Sequence, residues 1–192
     1  KCMTYSSVVA RDTVRLALTL AALNNLEVKA GDVMNAYITA PTTERVWTIL
    51  GPEFGDDAGK KALIVRSLYG LKSSSAAFRA HLATCMRDLG YKSCHGDNDL
   101  WLKPEVDGDG NPYYSYILNY VDDILVIRHE ALSVLTKIDK YFTLKPDSIG
   151  DPDVYLGAKL KLHQCENDVY CWTLSPSKYV QEAVRNCREH LK

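Results

Sequence analysis

The sequence predicts an α+β fold, and three observations carry that prediction. Stretches with apolar residues three to four apart alternate with short β-branched runs. Turn residues separate the runs at hairpin spacing, which favours antiparallel pairing. The order is a strand ending near Asp32, a helix over 75–89, a hairpin over 113–128, a helix over 130–142 and a strand over 154–162; this is a split βαβ arrangement in outline. At 192 residues the chain makes one domain, or one domain with part of a second, and can bury a substantial core.

Taking the elements in order, Asp12 or Thr13 caps a helix through Leu26, with Val14, Ala17, Leu18 and Ala21 on one face and Asn24-Asn25 suited to its end. Leu26–Val33 reads as a strand that delivers Asp32 at its C-terminal end. Beyond Pro41, Arg45–Leu50 and Ala62–Ser67 are strand candidates around the loop Gly51–Gly59. The turn Tyr69–Ser75 leads into a helix to about Leu89, lined by Phe78, Leu82, Cys85, Met86 and Leu89, and Gly90 ends it. Asn98–Lys103 and Tyr113–Val121 read as paired strands around Pro104–Pro112. Asp107–Asn111 imitates the start of a calcium loop, but Pro112 stands where Gly is required and Leu118 where the closing Glu belongs. It reads as a hairpin loop. Glu130–Phe142 is an amphipathic helix with Leu132, Leu135 and Ile138 on its apolar side. Val154–Leu162 and Val169–Leu174 make a last hairpin, and Ser175 or Ser177 opens a final helix.

Hydrophobic and charged fractions of 46% and 24% are ordinary for a globular chain, which excludes wholesale disorder. No apolar run reaches membrane-spanning length, and Lys1–Ser6 lacks the apolar core of a signal peptide, so an intracellular protein without membrane partners is expected. Lys1 is not an initiator residue, which suggests a piece of something longer. The six cysteines contain no C-x-x-C, and free thiols in a reducing compartment are expected. His81, Cys85, Cys94 and His95 match no zinc module. Net charge is −1, so nothing global attracts nucleic acid. Residues 60–92 are nonetheless basic (Lys60, Lys61, Arg66, Lys72, Arg79, Arg87, Lys92), whereas 96–109 and 147–153 are acidic. That polarity suits either a phosphate-tracking groove beside an acidic centre or an ordinary mixed surface.

The chemistry concentrates in Tyr116–Ile127, an apolar run interrupted by Asp122 and Asp123. Each half reads as a buried strand and the doublet as the tight turn between them, because Asp tolerates left-handed backbone. Adjacent charges between apolar strands repel one another and resist desolvation unless a cation sits beside them. A surface hairpin using Asp as a turn former is the competing reading. In the split βαβ topology the end of the first strand meets the tip of the central hairpin, so Asp32 would face Asp122 and Asp123. Such a carboxylate cluster selects a hard divalent cation, Mg²⁺ above others.

Four stretches in order, Asp32-Val-Met-Asn-Ala-Tyr37, Ser67-Leu-Tyr-Gly-Leu-Lys72, Tyr120-Val-Asp-Asp123 and Tyr155-Leu-Gly157, resemble the motifs of a reverse transcriptase. The Leu-Tyr-Gly-Leu-Lys wording looks specifically like copia-type LTR retrotransposons, and the resemblance runs from about Thr4 through Leu191. It implies a single reverse transcriptase core over residues 1–192: a right-hand polymerase palm with a ferredoxin-like core and central hairpin, partial fingers inserted at about 38–72, and a truncated thumb from about 175. The implied reaction is RNA- or DNA-templated addition of dNTPs to a DNA primer, assisted by two Mg²⁺ ions (Mn²⁺ substituting) about 3.5–4 Å apart.

By the same resemblance Asp32, Asp122 and Asp123 are the catalytic metal ligands, with Val33 beside them. Val33 and Met34 would offer backbone N–H groups near the triphosphate, and Tyr37 would pack under the incoming sugar and exclude a 2′-hydroxyl. Tyr69 and Gly70 would contact the nascent base pair, and Lys72 a template phosphate. Tyr120 and Val121 would lie by the primer terminus, and Leu156-Gly157 would form the primer grip, where Gly lets backbone approach nucleic acid. Core packing for Tyr37, a solvated turn for Lys72 and a bulge for Gly157 are the competing roles. The rest of a retroelement polyprotein, with RNase H and integrase, is an expected partner, in a cytoplasmic virus-like particle or the nucleus.

The chain departs from the family pattern at Ser73-Ser-Ser75, where Gln-Ala-Pro is usual, and only Lys1-Cys-Met3 stands where a Lys-x-Arg finger element normally precedes Thr4. The first leaves a good helix start but removes possible template contacts; the second motivates a rival reading, a relic or domesticated palm that binds nucleic acid without polymerising. A palm-fold nucleotide cyclase is a weaker third.

Overall fold

A computed structural model describes residues 6–42 and 44–191. Lys1–Tyr5, including Cys2 and the remnant expected of a finger element, lies outside the described residues. In chain order come α1 (Arg11–Leu23), β1 (Glu27–Asp32), α2 (Ala36–Thr39), β2 (Trp47–Ile49), β3 (Lys61–Leu63) and α3 (Ser74–Asp88). Then follow β4 (Lys92–Ser93), β5 (Leu100–Val106), β6 (Pro112–Tyr120), β7 (Asp123–Arg128) and α4 (Ala131–Asp139). The last elements are β8 (Val154–Tyr155), β9 (Ala158–Gln164), β10 (Tyr170–Ser175) and α5 (Ser177–His190). Among the described residues every strand pair is antiparallel. Among the described residues no helix is long and apolar enough to cross a membrane.

The chain divides into two compact units, one over Met34–Gly90 and one over residues 8–33 and 91–191. In the first, β2 and β3 pair with Trp47 opposite Leu63, and both strands are shorter than the expected 45–50 and 62–67. Period-two burial never develops there, because both faces of the pair are largely exposed. Helix α3 buries Phe78, Leu82, Ala83, Cys85 and Met86 on one face, close to the predicted stripe. Its start is closed by Glu44, whose Oε1 accepts the Ser73 N–H at 2.9 Å, and by the Ser74 hydroxyl, which donates to the Leu68 carbonyl at 2.6 Å. The hydrogen bonds from Ser73, helped by the charge of Lys72, hold the Glu44 carboxyl below its ordinary range.

The second unit is built on a five-stranded sheet in the order β1-β7-β6-β5-β4. Strand β7 lies between β1 and β6, and Ile124, Leu125, Val126 and Ile127 are all fully buried. One face packs Leu118, Leu125, Ile127 and Val28 against Val14, Ala17, Leu18 and Ala21 of α1, each worth roughly 1–3 kcal/mol relative to exposure. On the other face Gly31 leaves room for α4: a Cβ there would lie 3.1 Å from Leu135 Cδ2 and from Leu144 Cδ1. Glu27, on that face, accepts the Ala131 N–H at 3.0 Å and so closes the start of α4.

Four expectations are corrected. Neither Asp12 nor Thr13 caps α1; the helix begins at Arg11, and Asp97 Oδ2 accepts both the Ala10 N–H at 2.9 Å and the Thr13 hydroxyl at 2.6 Å. A carboxylate far along the chain takes a local cap's place. The α4 residue Leu132 is 45% exposed, because the buried stripe runs through Ala131, Val134, Leu135 and Ile138 at i, i+3, i+4 and i+7, and Leu132 lies off it. Leu156 and Gly157 both have positive φ (53° and 70°), which breaks the expected strand 154–162 into the β8–β9 hairpin. That strand also does not complete the ferredoxin-like sheet: β8, β9 and β10 form a separate sheet, and β1's other edge is met by the segment 144–150, through a bridge from Ala30 to Gly150 and the Lys145 N–H on the Asp32 carbonyl.

Candidate active site

The register of β1 with β7 places Asp32 directly opposite Asp123. Alternation along each strand sends both side chains to the face that carries Val28, Leu125 and Ile127. The connection itself is Val121-Asp122, because Tyr120 pairs with Asp123. This corrects the reading of the doublet as the turn tip: Asp123 is a strand residue, and the left-handed backbone falls on Val121 (φ 55°), not on an aspartate. Asp122 stays tied to the corner through its carbonyl, which accepts the Val33 N–H at 2.9 Å. The Val33 amide is thereby engaged in the hairpin.

Burial is the main reason the Asp123 carboxyl is pushed up to about 6, with the charges of Asp122 and Asp32 adding to it and Lys145 opposing. Lys145 docks on Asp32 twice, Nζ to Oδ2 at 2.6 Å and N–H to the main-chain carbonyl at 2.8 Å. Ser148 completes the clasp: its Oγ accepts the Asp32 N–H at 2.8 Å and donates to the Lys145 carbonyl at 2.7 Å. The hydrogen bond to Asp32 holds the Lys145 ammonium above its ordinary range, with the charges of Asp32, Asp122 and Asp123 adding to it. Asp32 Oδ1 remains buried without a hydrogen-bond partner.

An orphaned carboxylate oxygen beside two further acids is a donor set that fits a hard divalent cation. Among the described residues no three acidic, His or Cys side chains are already drawn around one point, so the donors are gathered but not closed. A small polar cleft beside the pair is lined by Asp32, Asp123, Asp147, Ser148, Asp151 and Tyr155. Tyr155 is fully buried and donates to the Leu118 carbonyl at 3.0 Å, which ties the β8–β9 hairpin, with Leu156-Gly157 at its tip, to β6.

In the other unit, Tyr37 on α2 lies against Tyr69 with ring centroids 4.6 Å apart, and meets the edge of Phe78 at 6.2 Å. Tyr69 is 73% exposed, and Gly70 follows with φ 98°, so this aromatic pair stands at a turn. Met34 is 39% exposed, and Lys72 acts electrostatically on Glu44. Sequence reasoning had grouped Tyr37 with Tyr69, and the fold brings them into contact.

A family model for the reverse transcriptase (RNA-dependent DNA polymerase) matches residues 2–188. The chain belongs to that family. This reverse transcriptase domain is 26% identical over 184 residues, 94% of its length, to the retrovirus-related Pol polyprotein from transposon TNT 1-94 of Nicotiana tabacum. It is 24% identical over 163 residues (82% of its length) to the corresponding polyprotein from transposon RE2 of Arabidopsis thaliana, and 24% over 147 residues (74%) to that from RE1. The chain spans only 13%, 11% and 10% of those three relatives, which are polyproteins. Members of the family are nucleotidyltransferases, and the copia-type resemblance drawn from the four motifs agrees with these relatives.

Lys145 and Ser148 were missed in the sequence. A lysine in Leu144-Lys-Pro146 carries no local sign of a carboxylate 113 positions away, and it is the bridges from Val33 to Leu144 and from Ala30 to Gly150 that bring the segment alongside.

Proposed function

We propose that this reverse transcriptase domain adds deoxynucleotides to a DNA primer 3′ end, copying an RNA or DNA template and releasing pyrophosphate. The observation that carries the reading is the pairing of Asp32 with Asp123, beside Asp122, around an unpartnered buried carboxylate oxygen. Asp32, Asp122 and Asp123 would hold two Mg²⁺ ions, or Mn²⁺ in their place, with the Val33 main chain adjacent. When bound, those ions neutralise charge on the attacking and leaving oxygens of an in-line phosphoryl transfer.

The chain's own residues supply position. Lys145 and Ser148 hold Asp32 at the end of β1, and the strained turn at Val121 fixes Asp122 relative to Asp123. In this reading the five-stranded sheet with α1 and α4 is the palm, the β2–β3 segment belongs to the fingers and α5 begins the thumb. Tyr37 packs under the incoming sugar, Met34 and Val33 flank the triphosphate, Tyr69 and Gly70 meet the nascent base pair and Lys72 a template phosphate. Tyr120 and Val121 adjoin the primer end, and Leu156-Gly157 grips the primer. RNase H and integrase of the same polyprotein are the proposed neighbours.

The test is primer extension on poly(rA)–oligo(dT) with Mg²⁺, together with calorimetric titration of Mn²⁺. Incorporation that falls to background in Asp122→Asn, with Mn²⁺ bound by the wild type, is the expected result. A wild-type chain that binds no Mn²⁺ at the cluster overturns the catalytic part. One observation favours a second reading, nucleic-acid binding without synthesis: Lys145 already neutralises Asp32. Salt-dependent primer–template binding with no incorporation would select it.

A further inference from the structure

Strands β9 and β10 pair with Gln164 opposite Tyr170 and His163 opposite Cys171. Continuing that ladder, the Cys165 N–H donates to the Val169 carbonyl at 2.6 Å, so Cys165 and Cys171 are diagonal neighbours on one face of the hairpin. Their sulfurs lie 3.3 Å apart, and both thiols are free. The tip between them is held by the single turn Glu166–Asp168 and by Gln164 Nε2 donating to Asp168 Oδ1 at 2.8 Å. Closing the gap to a bond of about 2.05 Å therefore needs a shift of roughly 1.3 Å within an already formed hairpin.

The two thiols are not equivalent. Cys165 is exposed and Cys171 half-buried. The hydrogen bond with Cys165, then burial, raises the Cys171 thiol above its ordinary range, and Cys165 is the sulfur more open to solvent. The remaining described cysteines have no such partner sulfur within reach of a bond: Cys85 is buried in α3, its thiol pushed by burial up to about 12, and Cys94 and Cys187 stand on other elements.

We propose that Cys165 and Cys171 form a thiol–disulfide site, with Cys165 as the attacking sulfur, Cys171 as the resolving one, and a small-molecule disulfide of the glutathione class as oxidant. The Cys165 thiolate attacks one sulfur of that disulfide, forming a mixed disulfide and expelling one thiolate. Cys171 then gives its proton to solvent and attacks Cys165 Sγ, which breaks the mixed disulfide and expels the second thiolate. Two protein thiols are oxidised and one external disulfide is reduced to two thiols. The product closes the tip of β9–β10 covalently, and excess thiol reopens it. The site stands apart from the phosphoryl-transfer reading and does not depend on it.

The test exposes the full chain to oxidised and reduced glutathione mixtures, quenches with an alkylating reagent and maps the cysteines by peptide mass spectrometry. Wild type is expected to lose two hydrogens from the peptide spanning Cys165 and Cys171, reversibly, before Cys187 is modified. Cys171→Ser should instead accumulate glutathione on Cys165, and Cys165→Ser should leave Cys171 largely unmodified. Both sulfurs remaining alkylatable while Cys187 takes up glutathione overturns the proposal. So does equal modification of Cys165 and Cys171 in their single variants.

Discussion

Two tight turns in the second unit invite comparison, Val121-Asp122 between β6 and β7 and Leu156-Gly157 between β8 and β9. Each is two residues long, and each puts a bulky side chain into left-handed backbone, Val121 at φ 55° and Leu156 at φ 53°. Such a conformation costs about 1–2 kcal/mol per residue. At Leu156 the cost is offset locally. Its side chain packs on the core cluster, and Gly157 takes the second positive φ without a Cβ to clash. At Val121 no glycine shares the turn; β7 is paired on both sides, and the sheet imposes the geometry. Strain held by long-range pairing marks the carboxylate corner, and strain relieved by turn chemistry marks the other hairpin.

The largest expected effect tests the corner itself. Asp123→Asn should reduce primer extension to background while leaving the far-ultraviolet circular dichroism spectrum unchanged. It should also reshape the pH dependence of stability in chelating buffer. The folded chain holds the Asp123 proton more tightly than the unfolded chain, because the carboxyl is pushed up from 3.8 to about 6. Its contribution is therefore most favourable below about pH 4 and is lost as pH rises to about 6. Wild type should lose about 1–2 kcal/mol across that window relative to Asp123→Asn, read by urea denaturation. Equal slopes would mean that burial does not hold the Asp123 proton in the folded chain.

The next effects separate the two sources of strain. Gly157→Ala puts a Cβ at φ 70° and should destabilise by about 1–2 kcal/mol in thermal or urea unfolding. Val121→Gly should go the other way, raising stability by about 1 kcal/mol while lowering incorporation, because relaxing the turn frees Asp122. Destabilisation by Val121→Gly would mean that packing of the valine, not sheet-imposed strain, holds that corner. The smallest effect concerns the clasp. Lys145→Met should cost about 1 kcal/mol in chelator, given a half-exposed ammonium, and added Mn²⁺ should restore it.

Legibility followed the range of the interactions. The stripe on α3 and the buried halves of the central hairpin were readable, because a 3.6-residue period and a short continuous run of β-branched apolar residues are local consequences of burial. The β8–β9 break was missed because Leu156 gives no local warning of left-handed backbone. The α1 cap was misplaced because its acceptor, Asp97, is 87 positions from Ala10. Of the site, the residues that motifs name were found together in their own units: Asp32 with Asp123, and Tyr37 with Tyr69. Lys145 and Ser148 were invisible for the same reason as Asp97.

By itself the sequence determined the family, the α+β class and the identity of the acidic doublet, since these rest on residue order, periodicity and motif spacing. Only the tertiary structure decided which residue bears the strain at the turn, that Asp123 is a strand residue facing Asp32, and that a lysine holds the cluster. Those facts depend on register and on chain segments meeting from far along the chain, and no local pattern encodes such a meeting.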